Sequence, residues 1–131
     1  MVVALHGDLG AGKTTLARGV LRGLGHEGAV KSPTYVLVEH YQFSSLYLYH
    51  FDFYRFADPV EWETAGFSEY FRDDALCLCE WPEKVAGLLP PADVSLTLSM
   101  HADGSPGRRL TAFATTAAGR RAVDALDAAL A

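Results

Sequence analysis

Lysine is scarce, with three in 131 residues; eight arginines bring the bases to 11 against 16 acids, a formal charge of −5. An extended phosphate-coating surface needs clustered Lys and Arg, so wholesale nucleic-acid binding is excluded and any RNA contact must be local. The one basic concentration, Arg108, Arg109, Arg120 and Arg121, reads as a solvated face. Cysteine is nearly absent too. Cys77 and Cys79 lie two apart in one apolar run, too close for a sound disulfide and without partners for a zinc site, so two buried, inert thiols are expected. No apolar run reaches membrane-spanning length, and the opening MVVALHGD has neither a basic segment before its apolar run nor a small-residue cleavage site. The expectation is a soluble cytoplasmic protein that does not engage a membrane. Repeats, low-complexity tracts and linkers are missing as well, which leaves a single domain over residues 1–131. With 50% hydrophobic and 21% charged residues, disordered, collagen-like and coiled-coil readings are excluded.

What is present alternates between strand and helix. Val2–His6 is a fully apolar run of the kind buried on both faces of a parallel sheet, and it stops at Gly7. From Thr14, the residues Leu16, Ala17, Val20, Leu21 and Leu24 recur at helical spacing, with Gly25 to end the helix. Residues 35–41 and 46–53 are β-branched and aromatic enough for strands. Asp58, Pro59 and Glu61 form an N-terminal capping pattern for a helix whose apolar stripe includes Trp62, Ala65, Tyr70 and Phe71. Residues 75–79 make another short buried strand, and a brief helix through Val85 and Leu88 closes at Pro90. Residues 94–100 and 108–114 flank a turn-rich segment as a hairpin, and a last helix from about Thr116 carries Val123, Leu126 and Leu130. The fold class is α/β: a three-layer arrangement like that of P-loop NTPases, around a mixed, partly antiparallel sheet.

Gly7-Asp8-Leu9-Gly10-Ala11-Gly12-Lys13-Thr14 matches G-x-x-x-x-G-K-[ST] between a buried strand and a helix start, where a phosphate-binding loop must sit. Glycines let the backbone N–H groups point inward at phosphates, and the positive end of the helix dipole favours an anion. Lys13 is expected to reach the β- and γ-phosphates and the Thr14 hydroxyl to coordinate Mg²⁺. A magnesium site needs a further acid at the carboxyl end of an apolar strand. Asp52 fits, although an Asp past a strand also serves as a turn cap; Glu80 occupies the analogous place, although a solvated strand-end acid reads the same way. Thr34 follows Pro33 where a nucleotide-sensing loop would lie, with plain turn geometry equally compatible. Trp81 precedes a proline and reads first as core, with stacking near a nucleotide as the alternative. His6, His26, His40, His50 and His101 show no ligand spacing and read as structural or solvated. Arg55 is the one candidate for an arginine finger within the chain.

Taken in order and at their distances, GDLGAGKTTLARG, SPTY, YHFDFYR and EWPEK resemble the TsaE family, small bacterial P-loop ATPases of tRNA threonylcarbamoyladenosine biosynthesis. The resemblance runs from about Val3 to Pro90 and more loosely through the hairpin. It implies a Mg²⁺-dependent ATPase, slow alone, that works with the TsaB–TsaD pair and meets tRNA only through that complex. Carried over by motif, Asp8, Leu9, Gly10, Ala11, Gly12, Lys13, Thr14, Thr15, Thr34 and Trp81 would bind ATP. Thr14, Asp52 and Glu80 would hold Mg²⁺, and Lys13, Asp52 and Glu80 would be catalytic. Family members usually carry a helix and a strand or hairpin ahead of the P-loop strand; this chain begins on that strand. A P-loop small-molecule kinase and a nucleotide-dependent switch without turnover are the competing readings. A kinase needs a lid and arginines around the transferring phosphate, and the eight arginines here are scattered.

Overall fold

A computed structural model describes residues 1–130; Ala131, the end of the single domain expected from the sequence, lies outside the described residues. Strand β1 (Val2–His6) is the apolar run at the amino end, and its first four residues are buried. A strand so apolar has no face to offer water and takes a central place. It pairs in parallel with β4 (Ala75–Glu80) on one side and with β5 (Val94–Met100) on the other. Next to β4 runs β3 (Tyr47–Asp52), also parallel. The edges are antiparallel: β2 (Val38–Gln42) on β3, and β6 (Arg108–Ala114) on β5. The order β2-β3-β4-β1-β5-β6 is a six-stranded mixed sheet, as expected.

Helices α1 (Lys13–Gly23) and α3 (Ala117–Leu130) cover one face, burying Ala17, Leu21 and Val123 against Val3, Leu5, Leu48, Leu78 and Val94. The other face is aromatic: Tyr49, Phe51 and Phe53 pack with Trp62 of the short helix α2 (Val60–Thr64) and with Phe67. Phe51 and Phe53 are fully enclosed, and burying a side chain of that size stabilises the fold by roughly 1.5–3 kcal/mol.

Several expectations are corrected. The helix expected from Asp58 through Phe71 is two pieces: Gly66, at φ 67°, ends the α-helical part, and a 3₁₀ turn over Phe67–Tyr70 follows. Its capping signal survives, since the Asp58 carboxylate accepts the Val60 N–H at 3.0 Å and the Glu61 carboxylate accepts the Asp58 N–H at 3.3 Å. Ala65 faces solvent instead of joining the stripe. The strand expected over 35–41 begins only at Val38, because residues 34–37 form a turn closed by the Leu37 N–H on Pro33 C=O at 2.7 Å, with Leu37 at φ 68°. The helix through Val85 and Leu88 is a 3₁₀ turn, Pro82–Val85. At the other end, Val123 of α3 is buried but Leu130 is exposed. The thiols of Cys77 and Cys79 are buried as expected, and burial pushes the Cys77 thiol up to about 12.

Candidate functional site

The carboxyl ends of β1, β3 and β4 and the start of α1 surround a cavity of about 400 Å³. Its lining includes Gly10, Gly12, Lys13, Thr14 and Thr15 from the loop and helix, Asp52 and Arg55 after β3, and Glu80 and Trp81 after β4. Parallel pairing explains why two acids 28 positions apart meet. Asp52 and Glu80 are register partners at the ends of neighbouring strands, so both side chains leave the same face of the sheet.

The loop's shape follows from its glycines. A Cβ on Gly7 would come within 2.7 Å of the Leu98 carbonyl oxygen, so the chain can pass β5 only as glycine. Gly12, at φ 109°, caps α1 without any side-chain hydrogen bond, and the first helical bond runs from the Leu16 N–H to its carbonyl at 2.8 Å. The amides before Leu16 therefore have no helical acceptor and face the cavity end of α1, a ready anion site.

Lys13 is buried at 5% exposure; its ammonium donates to Gly7 C=O at 2.5 Å and lies 3.6 Å from the centroid of the Trp81 ring. Burial pulls the ammonium below the ordinary lysine value, against the opposing charges of Glu80, Glu83, Asp52 and Asp8. The Thr14 hydroxyl contacts both Glu80 oxygens, at 3.1 and 3.2 Å. Asp52 accepts the Tyr54 N–H at 3.0 Å and the Thr34 hydroxyl at 3.4 Å, so it is a turn cap and a cavity wall together. Thr34 is in turn bonded to Ser32 Oγ at 2.8 Å. Trp81, read first as core, is half-buried at φ 56° with its ring in the cavity wall, 5.0 Å from Tyr54.

Of the expected binding residues, Leu9, Gly10, Gly12, Lys13, Thr14, Thr15, Thr34, Asp52, Glu80 and Trp81 line this cavity, while Asp8 and Ala11 do not. Asp8 is exposed and its carbonyl accepts the Ala11 N–H; the Ala11 carbonyl accepts from Arg108 at 3.1 Å. Arg108 is thus a brace for the loop as well as part of a solvated face. Sequence reasoning also passed over Tyr54 and read His50 only as structural or solvated. The latter is fully enclosed, with its Nε2 at 2.5 Å from Glu80 Oε2. The alternation Leu48, His50, Asp52 on one side of β3 was the available signal: a polar ring on the same face as a candidate ligand, in an otherwise apolar run.

The donor set fits a hard divalent cation bound together with a polyphosphate. Two carboxylates facing a phosphate cradle repel it unless a cation lies between, and a hydroxyl with carboxylates is oxygen ligation suited to Mg²⁺. Among the described residues no three His, Cys, Asp or Glu side chains form a metal cluster by themselves, so such a cation would need further ligands from phosphate and water.

Comparison with known proteins agrees with this architecture. The family described as "Threonylcarbamoyl adenosine biosynthesis protein TsaE" matches residues 1–110. The tRNA threonylcarbamoyladenosine biosynthesis protein TsaE of Haemophilus influenzae is 49% identical over 127 residues, 97% of this chain and 78% of the relative. Its Bacillus subtilis counterpart is 40% identical over 102 residues, 78% of this chain and 63% of the relative. The crystal structure of B. subtilis YdiB superposes with a TM-score of 0.78 at 30% identity, covering 99% of this chain and 78% of that one. The chain belongs to the TsaE family of tRNA threonylcarbamoyladenosine biosynthesis proteins.

Proposed function

We propose that the chain binds Mg·ATP on the Gly7–Thr15 loop and hydrolyses it slowly, in support of tRNA threonylcarbamoyladenosine modification in the cytoplasm. On this reading it acts with the TsaB–TsaD pair and meets tRNA only through that complex. The observation that carries the proposal is the convergence of Lys13, Thr14, Asp52 and Glu80 on one cavity at the amino end of α1. Among the described residues no helix is long and apolar enough to cross a membrane.

In this mechanism the free amides at the start of α1 hold the phosphates, and Lys13 exchanges the Gly7 carbonyl for oxygens of the β- and γ-phosphates. Thr14, Asp52 and Glu80 would hold a divalent cation, whose charge would offset that of the phosphates and carboxylates. Asp52, fixed by the Tyr54 amide and the Thr34 hydroxyl, and Glu80 orient the attacking water. Arg55 lies over the Tyr35 ring at 4.7 Å and lines the same cavity, which keeps it the chain's own candidate for a γ-phosphate contact. ATP turnover measured with Mg²⁺, alone and with the TsaB–TsaD pair, tests the reading. Slow hydrolysis that rises on adding the pair is expected. Turnover that survives both Asp52→Ala and Glu80→Ala removes the catalytic assignment. Binding without turnover under either condition replaces the ATPase with a switch.

A further inference from the structure

Directly beneath the cavity lies a polar side chain to which the proposed reaction gives no task. His50 has no exposed surface, and its Nδ1 has no hydrogen-bond partner among the described residues. Its polar contact is Nε2 on Glu80 Oε2 at 2.5 Å. Enclosing an imidazole with one nitrogen unsatisfied is unfavourable, and an apolar side chain of similar volume would fill the space without that penalty. The ring therefore does little for the core. What it does do is fix one end of a relay that runs from β3 through the Glu80 carboxylate to the Thr14 hydroxyl in the first turn of α1.

We propose that His50 is the positioning residue for Glu80. The assignment rests on the functional reading above and adds to it the group that sets the geometry of its acid. A glutamate at a strand end has three rotatable side-chain bonds, and its carboxylate can turn either oxygen to the cavity. His50 cannot follow such motion, because it sits in the interior of β3 between Tyr49 and Phe51, both buried. By donating from Nε2 to Oε2 it fixes the carboxylate, whose two oxygens stand 3.2 Å (Oε1) and 3.1 Å (Oε2) from Thr14 Oγ1, and leaves Oε1 as the oxygen without a bond to the core. The donor is Nε2–H, since an ionised carboxylate only accepts.

The test compares His50→Leu, which fills the space without a donor, with His50→Gln, whose amide N–H can reach the place of Nε2. In the full chain with the TsaB–TsaD pair, His50→Leu is expected to lower kcat about tenfold or more and to raise the Mg²⁺ concentration needed for half-maximal turnover. The KM for ATP should stay within about twofold and the melting temperature should not fall, while His50→Gln recovers most of kcat. Equal losses in two folded variants, or full kcat in His50→Leu, overturn the proposal. Nitrogen-15 NMR of the parent chain gives a readout independent of turnover. A Nε2–H resonance that moves on Glu80→Gln supports the contact, and a Nδ1–H tautomer refutes it. That measurement decides His50 even if His50→Leu fails to fold. Should the parent chain hydrolyse no ATP, the functional reading fails on its own, and the NMR result still stands for or against the His50–Glu80 contact.

Discussion

The two faces of β3 are built for opposite purposes. One presents Tyr49 and Phe51, continued by Phe53, to an aromatic layer with Trp62 and Phe67; the other presents Leu48, then His50, then Asp52 along the line that leads out under α1. A period of two residues thus separates a rigid back from a chemical front on a single strand. Stability and activity should therefore be separable by substitution at alternate positions.

The largest effect should come from the back. Phe51 has no exposed surface and stacks on Phe53 at 5.2 Å and on Phe71 at 5.3 Å. Phe51→Ala is expected to cost about 3–5 kcal/mol in urea unfolding, with nucleotide affinity of the remaining folded fraction unchanged. On the front, Lys13→Ala should weaken Mg·ATP binding about a hundredfold in calorimetry while leaving folding stability within about 1 kcal/mol, because removing a desolvated ammonium relieves a burial penalty. Unchanged affinity would sink the site, and a collapse of stability would erase the contrast between the faces.

A third effect again belongs to the back. With the Cys77 thiol pushed up to about 12 in the folded chain from an ordinary value of 9, the unfolded chain ionises first as pH rises. The stabilising contribution is complete below pH 9 and is lost through the interval up to about 12; denaturation at pH 10 should show a loss of about 1.4 kcal/mol relative to pH 8 from this thiol. Alkylation of both cysteines should be slow in the native chain and fast in denaturant. The smallest effect concerns Trp81, whose ring lies against Lys13. Trp81→Leu is expected to weaken ATP about fivefold, the equivalent of one cation–π contact, and its fluorescence should report nucleotide binding in the parent chain.

Local signals carried much of this into view before the structure. The glycine-rich turn ahead of α1, the buried Val2–His6 strand and the β5–β6 hairpin are each specified by residues adjacent in sequence, and they fall where the sequence puts them. Errors arose where one backbone angle overrides a run of favourable side chains. Gly66 stops a helix whose apolar stripe continues, and Leu37 delays a strand whose composition starts earlier. The site was legible as types and hidden as contacts. Asp52 and Glu80 were recognisable as strand-end acids, but the His50–Glu80 contact spans 30 positions and exists only because β3 and β4 pair in a particular register. Trp81 was ambiguous for a related reason, weighed as core from its neighbours and given to the nucleotide site by the family resemblance: its left-handed backbone turns the ring toward Lys13, and nothing in the neighbouring residues announces that angle.

The turn at residues 34–37 also constrains how this sequence can evolve. Asp52 is gripped at both ends by it: its backbone N–H donates to the Leu37 carbonyl at 2.9 Å, and its carboxylate accepts the Thr34 hydroxyl. Leu37 is itself held in a left-handed conformation by its bond to Pro33. Mutational drift at these four positions is consequently epistatic. A change at Pro33 or Leu37 should therefore alter the effect of a later change at Thr34 or Asp52, which a double-mutant cycle reads as non-additivity.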